Sequence, residues 1–111
     1  MAKYSYVVLS NPVPGREDEY NAWYDNQHIP DVLKVPGIVS AQRLKLAQER
    51  TKLPGRYLAI YQLETDDPAR TIAELNARAG TPQMVMSDAL DMATLTRSLF
   101  SPLGEPVSLD H

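Results

Sequence analysis

The segment Trp23-Tyr24-Asp25-Asn26-Gln27-His28-Ile29-Pro30-Asp31 gathers the side chains of this sequence best equipped for chemistry. It holds the single tryptophan and the only histidine besides His111 at the chain end. An imidazole with its ordinary pKa of ~6.5 gives or takes a proton at neutral pH. Asp25 stands three residues before His28, within reach on a helix, and could fix its tautomer and raise its basicity. Asp31 is the alternative partner, across Pro30. The competing reading of His28 is structural: it hydrogen-bonds a loop and closes a helix end. Trp23 and Tyr24 could wall an aromatic ligand, although Tyr20 and Trp23 at helical spacing read first as core.

Regular elements must hold these groups in place. Tyr4 to Ser10 is rich in β-branched and aromatic residues and reads as a first strand. Asn11-Pro12-Val13-Pro14-Gly15 stops it. Arg16 to His28 reads as a helix, with Tyr20, Trp23, Tyr24 and Gln27 on one face and acidic residues in its first turn. Pro30 interrupts that helix or starts a short new one. Ile38 to Leu46 and Arg56 to Glu64 read as strands, and Gln48 to Gly55 as the hairpin connection between them. Asp67-Pro68 marks a second helix with Asp67 as its N-cap, ending near Gly80. Met92 to Phe100 alternates and reads as a last strand. The order β-α-β-β-α-β predicts an α+β, ferredoxin-like fold, a four-stranded antiparallel sheet with both helices on one face. Residues 1–100 form that domain, and 101–111 an extended tail.

The strands divide into two faces. The aliphatic sets, such as Val7/Leu9 and Leu58/Ile60, are expected to face the helices. The sets holding Tyr6, Val8, Ala59, Tyr61 and Thr96 are expected to face outward. An outward face of that composition suits a homodimer whose sheets meet and leave a mixed-polarity cavity. There Tyr6 and Tyr61 could donate hydrogen bonds to a carbonyl or enolate oxygen, or simply pack. Arg43 could anchor a ligand carboxylate, with a surface ion pair as its plainer role. Thr96 is a candidate polar liner. Met84 and Met86 suit a flexible pocket mouth as well as loop packing.

Composition narrows the partners. The 111 residues suffice for one domain with one core. With a formal charge of −3 and no basic run, nucleic acid is an unsuitable partner. No apolar stretch is long enough to span a bilayer, and the start lacks a signal-peptide pattern, so a cytoplasmic location is expected. The absence of cysteine removes thiolate chemistry and sulfur-ligated metals. One internal histidine with scattered carboxylates makes no zinc or iron ligand set, so no metal or cofactor is expected.

The string Glu19-Tyr20-Asn21-x-Trp23-Tyr24-Asp25-x-x-His28-Ile29-Pro30-Asp31-Val32-Leu33, with Val35-Pro36-Gly37-Ile38 and Ala41-Gln42-Arg43, resembles the EthD-like branch of the dimeric α+β barrel superfamily. The resemblance covers roughly positions 4 to 45. It implies a dimer, a pocket between sheet and helices in each subunit, and small aromatic or cyclic ligands. It also implies that a pocket histidine serves as acid or base, and His28 is the matching position. The resulting expectation is a small cofactor-independent lyase or isomerase acting on an aromatic or cyclic molecule, with His28, oriented by Asp25 or Asp31, moving a proton and Tyr6, Tyr61 or Tyr24 stabilising an oxyanion. The alternatives are a non-catalytic dimeric ligand-binding or stress-related module and, behind it, a cofactor-free or haem-dependent monooxygenase.

Overall fold

Runs of alternating β-branched and aromatic residues, cut by Pro and Gly, give four strands. The computed structural model describes residues 1–48 and 53–109. In chain order these form β1 (Lys3–Ser10), α1 (Glu17–Trp23), one π-helical turn (Tyr24–His28), α2 (Ile29–Val32), β2 (Ile38–Lys45), β3 (Tyr57–Glu64), α3 (Pro68–Arg78), a 3-10 turn (Met92–Thr94) and β4 (Thr96–Phe100). The sheet order is β2-β3-β1-β4, and every pairing is antiparallel. This is the ferredoxin-like arrangement. The middle of the β2–β3 connection, 49–52, lies outside the described residues.

Local chemistry explains the boundaries. Asp67 caps α3, its Oδ1 accepting from the Arg70 N–H at 3.1 Å, and Pro68 occupies the first turn. Gly55 lets the chain pass close to β1. A Cβ there would lie 2.6 Å from the Ser10 backbone nitrogen, so only glycine fits without a shift. The last strand is shorter than the alternation predicts. Asp91 accepts from the Ala93 N–H at 3.0 Å and winds Met92–Thr94 into a 3-10 turn before β4 begins. Ser101 to Leu109 joins no regular element and leaves Leu103, Val107 and Leu109 exposed.

The two faces of β1 and β3 are the reverse of those expected. Tyr6, Val8, Tyr57, Ala59, Tyr61 and Leu63 are buried and form one core with Tyr20, Tyr24, Val32, Val35 and Leu75 from the helical side. Val7, Leu9, Leu58 and Ile60 lie on the open face and are only partly covered. Hydrophobicity alone misleads here. The helical segments contribute Tyr20 and Tyr24 beside Val32 and Leu75, the segment after α3 adds Met84, and the sheet answers with its own aromatic set. Tyr20 pairs its hydroxyl with Ser10 Oγ at 2.6 Å, which satisfies a polar group deep in the core. Thr96 does face outward as expected, but the register parts it from Tyr6 and Tyr61. It stands opposite Leu9, whereas Arg97 stands opposite Val8 and Leu99 opposite Tyr6. Cross-strand partners share a face, so Thr96 belongs to the open face and Arg97 to the helix side.

Candidate functional site

Between the sheet and the helices lies an apolar cavity of about 70 Å³. Tyr6, Val8 and Tyr61 reach it from the sheet, and Tyr24, His28 and Val32 from the first helical segment. Leu75, Asn76 and Ala79 close one side, Met84, Met86 and Leu90 another, and Leu95 and Arg97 complete the lining. Its size is about half that of an apolar cavity that accepts benzene. A single ring therefore enters only if flexible neighbours such as Met84 and Met86 move.

His28 ends the π-helical turn. Such wide turns are rare and frequent at functional sites. Pro30 lacks an N–H and cannot continue an α-helical ladder. The wide turn rephases the helix just before the chain restarts as α2. His28 is thereby stacked on Trp23, ring centroids 4.6 Å apart, and meets the edge of Tyr24 at 5.2 Å. Trp23 donates its indole N–H to the Val85 carbonyl at 3.0 Å, tying the turn to the segment that carries Met84 and Met86. Burial lowers the imidazole pKa from 6.5 to about 4, with the Asp31 charge offsetting part of the fall. At neutral pH the ring is uncharged, with one donor and one acceptor nitrogen.

Two polar atoms here are buried without a hydrogen-bond partner among the described residues: His28 Nδ1 and the Tyr61 hydroxyl. Both residues line the same cavity. An unpaired buried polar group costs roughly 1–3 kcal/mol, so two on one apolar cavity call for an explanation. Burial also raises the pKa of Tyr61, which keeps its phenol protonated as a donor. Tyr24 is pushed up to about 12, chiefly by burial. Tyr6 is raised by burial too, with nearby Arg97 offsetting part of the rise.

The carboxylates expected beside His28 are engaged elsewhere. Asp25 accepts from Arg43 Nη1 at 2.8 Å, and Arg43 Nη2 donates to Asn21 Oδ1 at 2.8 Å. The same guanidinium lies 4.3 Å from the Tyr24 ring centroid, a cation–π contact. Arg43 is thus a brace behind Tyr24, and its carboxylate partner is internal. Asp31 is buried, accepts from Gln27 Nε2 at 2.7 Å and lies 3.8 Å from Lys34 Nζ. It acts on His28 only through its charge. Of the predicted candidates, His28, Tyr6, Tyr24 and Tyr61 meet at the cavity. Trp23 supports it from behind, and Asp25, Asp31, Arg43 and Thr96 do not line it.

Asn76 and Arg97 also line the cavity, and nothing in the spacing of the sequence singles them out. Arg97 is the one charged residue within the strand Thr96–Phe100. A lone charge inside a strand is a signal, but its face depends on the register against β1.

These features define a ferredoxin-like α+β protein with a small apolar cavity and a buried polar end. The chain belongs to the family described as a domain of unknown function (DUF4286), whose model matches residues 4–78. No curated protein matches it in sequence. Among solved structures it is similar to a candidate monooxygenase from Shewanella loihica PV-4, at 14% identity and TM-score 0.61, covering 94% of this chain and 97% of that one. It is similar to the haem degrader MhuD from Mycobacterium tuberculosis with two haems in its active site, at 15% identity and TM-score 0.63, covering 94% and 99%. An EthD-family protein from Bacillus halodurans c-125 aligns at 14% identity and TM-score 0.49, covering 96% and 100%. The likeness to the first two is one of fold over nearly the whole chain, and that fold is the ferredoxin-like α+β arrangement expected from the sequence. Among the described residues, no helix is long and apolar enough to cross a membrane.

Haem does not fit the cavity as it stands. A porphyrin needs several hundred Å³, within the roughly 300–1,000 Å³ of ordinary ligand pockets, against about 70 Å³ here.

Proposed function

We propose that this protein is a cofactor-independent enzyme acting on a small monocyclic phenol or quinol, held by its oxygen between His28 and Tyr61. The observation that carries this reading is the pair of unpartnered buried polar atoms, His28 Nδ1 and the Tyr61 hydroxyl, on one apolar cavity. A ligand oxygen can accept from Tyr61 and exchange a proton with the imidazole.

Magnitudes limit the chemistry. Outright transfer from a phenol of pKa about 10 to an imidazole of pKa about 4 is uphill by roughly 8 kcal/mol. His28 is therefore a hydrogen-bonding group in the resting complex. It becomes a base only as electron loss from the ring to O2 makes the hydroxyl proton more acidic. That suits substrates that are already electron-rich. Likeness in fold to a candidate monooxygenase and a haem degrader supports oxygen chemistry over the lyase or isomerase reading. With 1,4-dihydroxybenzene the balance is substrate plus O2 giving hydroxybenzoquinone plus water, all electrons coming from the quinol.

A non-catalytic binding module is the second reading, favoured by the low basicity of His28. The two are separated by incubating the protein with 1,4-dihydroxybenzene and its methyl-substituted derivatives while following oxygen uptake and product mass. We expect stoichiometric oxygen uptake that falls at least tenfold in His28→Ala and Tyr61→Phe. Binding without oxygen uptake or substrate loss establishes the binding module, and substrate loss without oxygen uptake restores the isomerase reading. The fold's usual assembly and the open sheet face support a homodimer, and the cytoplasm remains the compartment we assign.

A further inference from the structure

The cavity has a third polar feature that the proton chemistry above does not use. Arg97 lines it from β4, on the same face as Val8, its cross-strand partner. Its guanidinium donates to Asn76 Oδ1 at 3.4 Å, and Asn76 also lines the cavity. Arg16, Arg43, Arg56 and Arg78 each have a carboxylate partner. Arg70 and Arg97 have none among the described residues, and of these two only Arg97 lines the cavity. It is solvent-exposed, whereas His28 Nδ1 and the Tyr61 hydroxyl are sealed. The cation therefore marks the open side of the cavity and the two orphaned atoms its inner end, with an apolar stretch between them.

We infer that the ligand is an anion: a small monocyclic aromatic acid whose carboxylate pairs with Arg97 at the mouth while a ring hydroxyl reaches His28 and Tyr61. This rests on the proposed function and names its substrate class. A guanidinium presents a planar fork of donors that matches a carboxylate. Asn76 is a neutral neighbour, so it orients the fork without neutralising it. A carboxylate left at the mouth keeps its outer oxygen in water and avoids the cost of burying a charge. With Met84 and Met86 displaced, the space suits one ring rather than a fused system.

The test compares 2,5-dihydroxybenzoate with its uncharged analogue 2,5-dihydroxybenzamide by titration calorimetry, with His28 ring resonances followed by NMR. The wild type is expected to bind the acid about tenfold more tightly than the amide, the scale of one charge-assisted hydrogen bond. That ratio should shrink as salt rises. Arg97→Gln should bring it to within about twofold, and Arg97→Lys should leave it in between. Equal binding of acid and amide by the wild type, with both shifting His28, overturns the inference and leaves the cavity reading standing. So does a preference that survives Arg97→Gln. If neither compound binds or shifts His28, both readings fall. Arg97 is exposed, so its variants should fold, and a thermal melt beside each titration verifies that.

Discussion

At the scale of the residue, the site depends on a histidine kept neutral. His28 has a folded pKa of about 4 against 6.5 unfolded. Between those values the unfolded chain binds the extra proton, so stability is lost as pH falls from about 6.5 toward 4 and is intact above. At about 1.4 kcal/mol per pKa unit, the loss approaches 2–3 kcal/mol near pH 4.5. His28→Gln removes this term. Urea unfolding at pH 7 and pH 4.5 should therefore show the wild type losing roughly 2–3 kcal/mol more than the variant. Equal losses would place His28 in water. The sequence marks His28 by its isolation among aromatics, and Tyr6, Tyr24 and Tyr61 by their placement. It misassigns the partner of His28, because the spacing to Asp25 says nothing of Arg43, which arrives from a distant strand and takes that carboxylate.

At the scale of the element, the decisive piece is the π-helical turn Tyr24–His28 with its brace. Arg43 has a largely buried side chain, bonds Asp25 and Asn21 and lies on Tyr24. Arg43→Met keeps bulk and removes the fork. It should cost about 1–3 kcal/mol, as for hydrogen bonds to charged groups, and weaken ligand binding through a loosened Tyr24. A thermal melt and a binding titration read both, and a melting point within a degree of the wild type would deny the brace. Regular α periodicity finds the helix Arg16 to His28 but cannot register one wide turn inside it. Pro30 is the only local hint. Strand alternation separates the faces of β1 and β3 correctly and assigns them the wrong way round, and it joins Thr96 of β4 to the wrong set. The buried set is the aromatic one, chosen by what α1 and α2 present.

At the scale of the whole molecule, the element order and antiparallel sheet are legible from turn residues alone. The consequence of the reversed faces is not. The open face carries Val7, Leu9, Leu58 and Ile60, with Leu44 and Phe100 exposed at its margins. This apolar strip is longer than a solvated sheet face ordinarily shows. Paired sheets from two copies would cover it. Sedimentation should give twice the chain mass for the wild type. Ile60→Lys, a charge in the middle of the strip, should shift it to the monomer with its fold retained by circular dichroism. A monomeric wild type would contradict the dimer and leave the cavity, which lies on the other face, untouched.

The central claim is that neutral His28 and Tyr61 form the polar end of a ligand cavity. The most direct measurement is a pH titration of the His28 ring nitrogens by long-range 15N NMR, without and with 1,4-dihydroxybenzene. We predict a ring that stays neutral down to about pH 4 and whose nitrogen shifts move on adding the quinol, a response lost in Tyr61→Phe. A ring that titrates near its ordinary value of about 6.5, with shifts that ignore the quinol, would contradict the account.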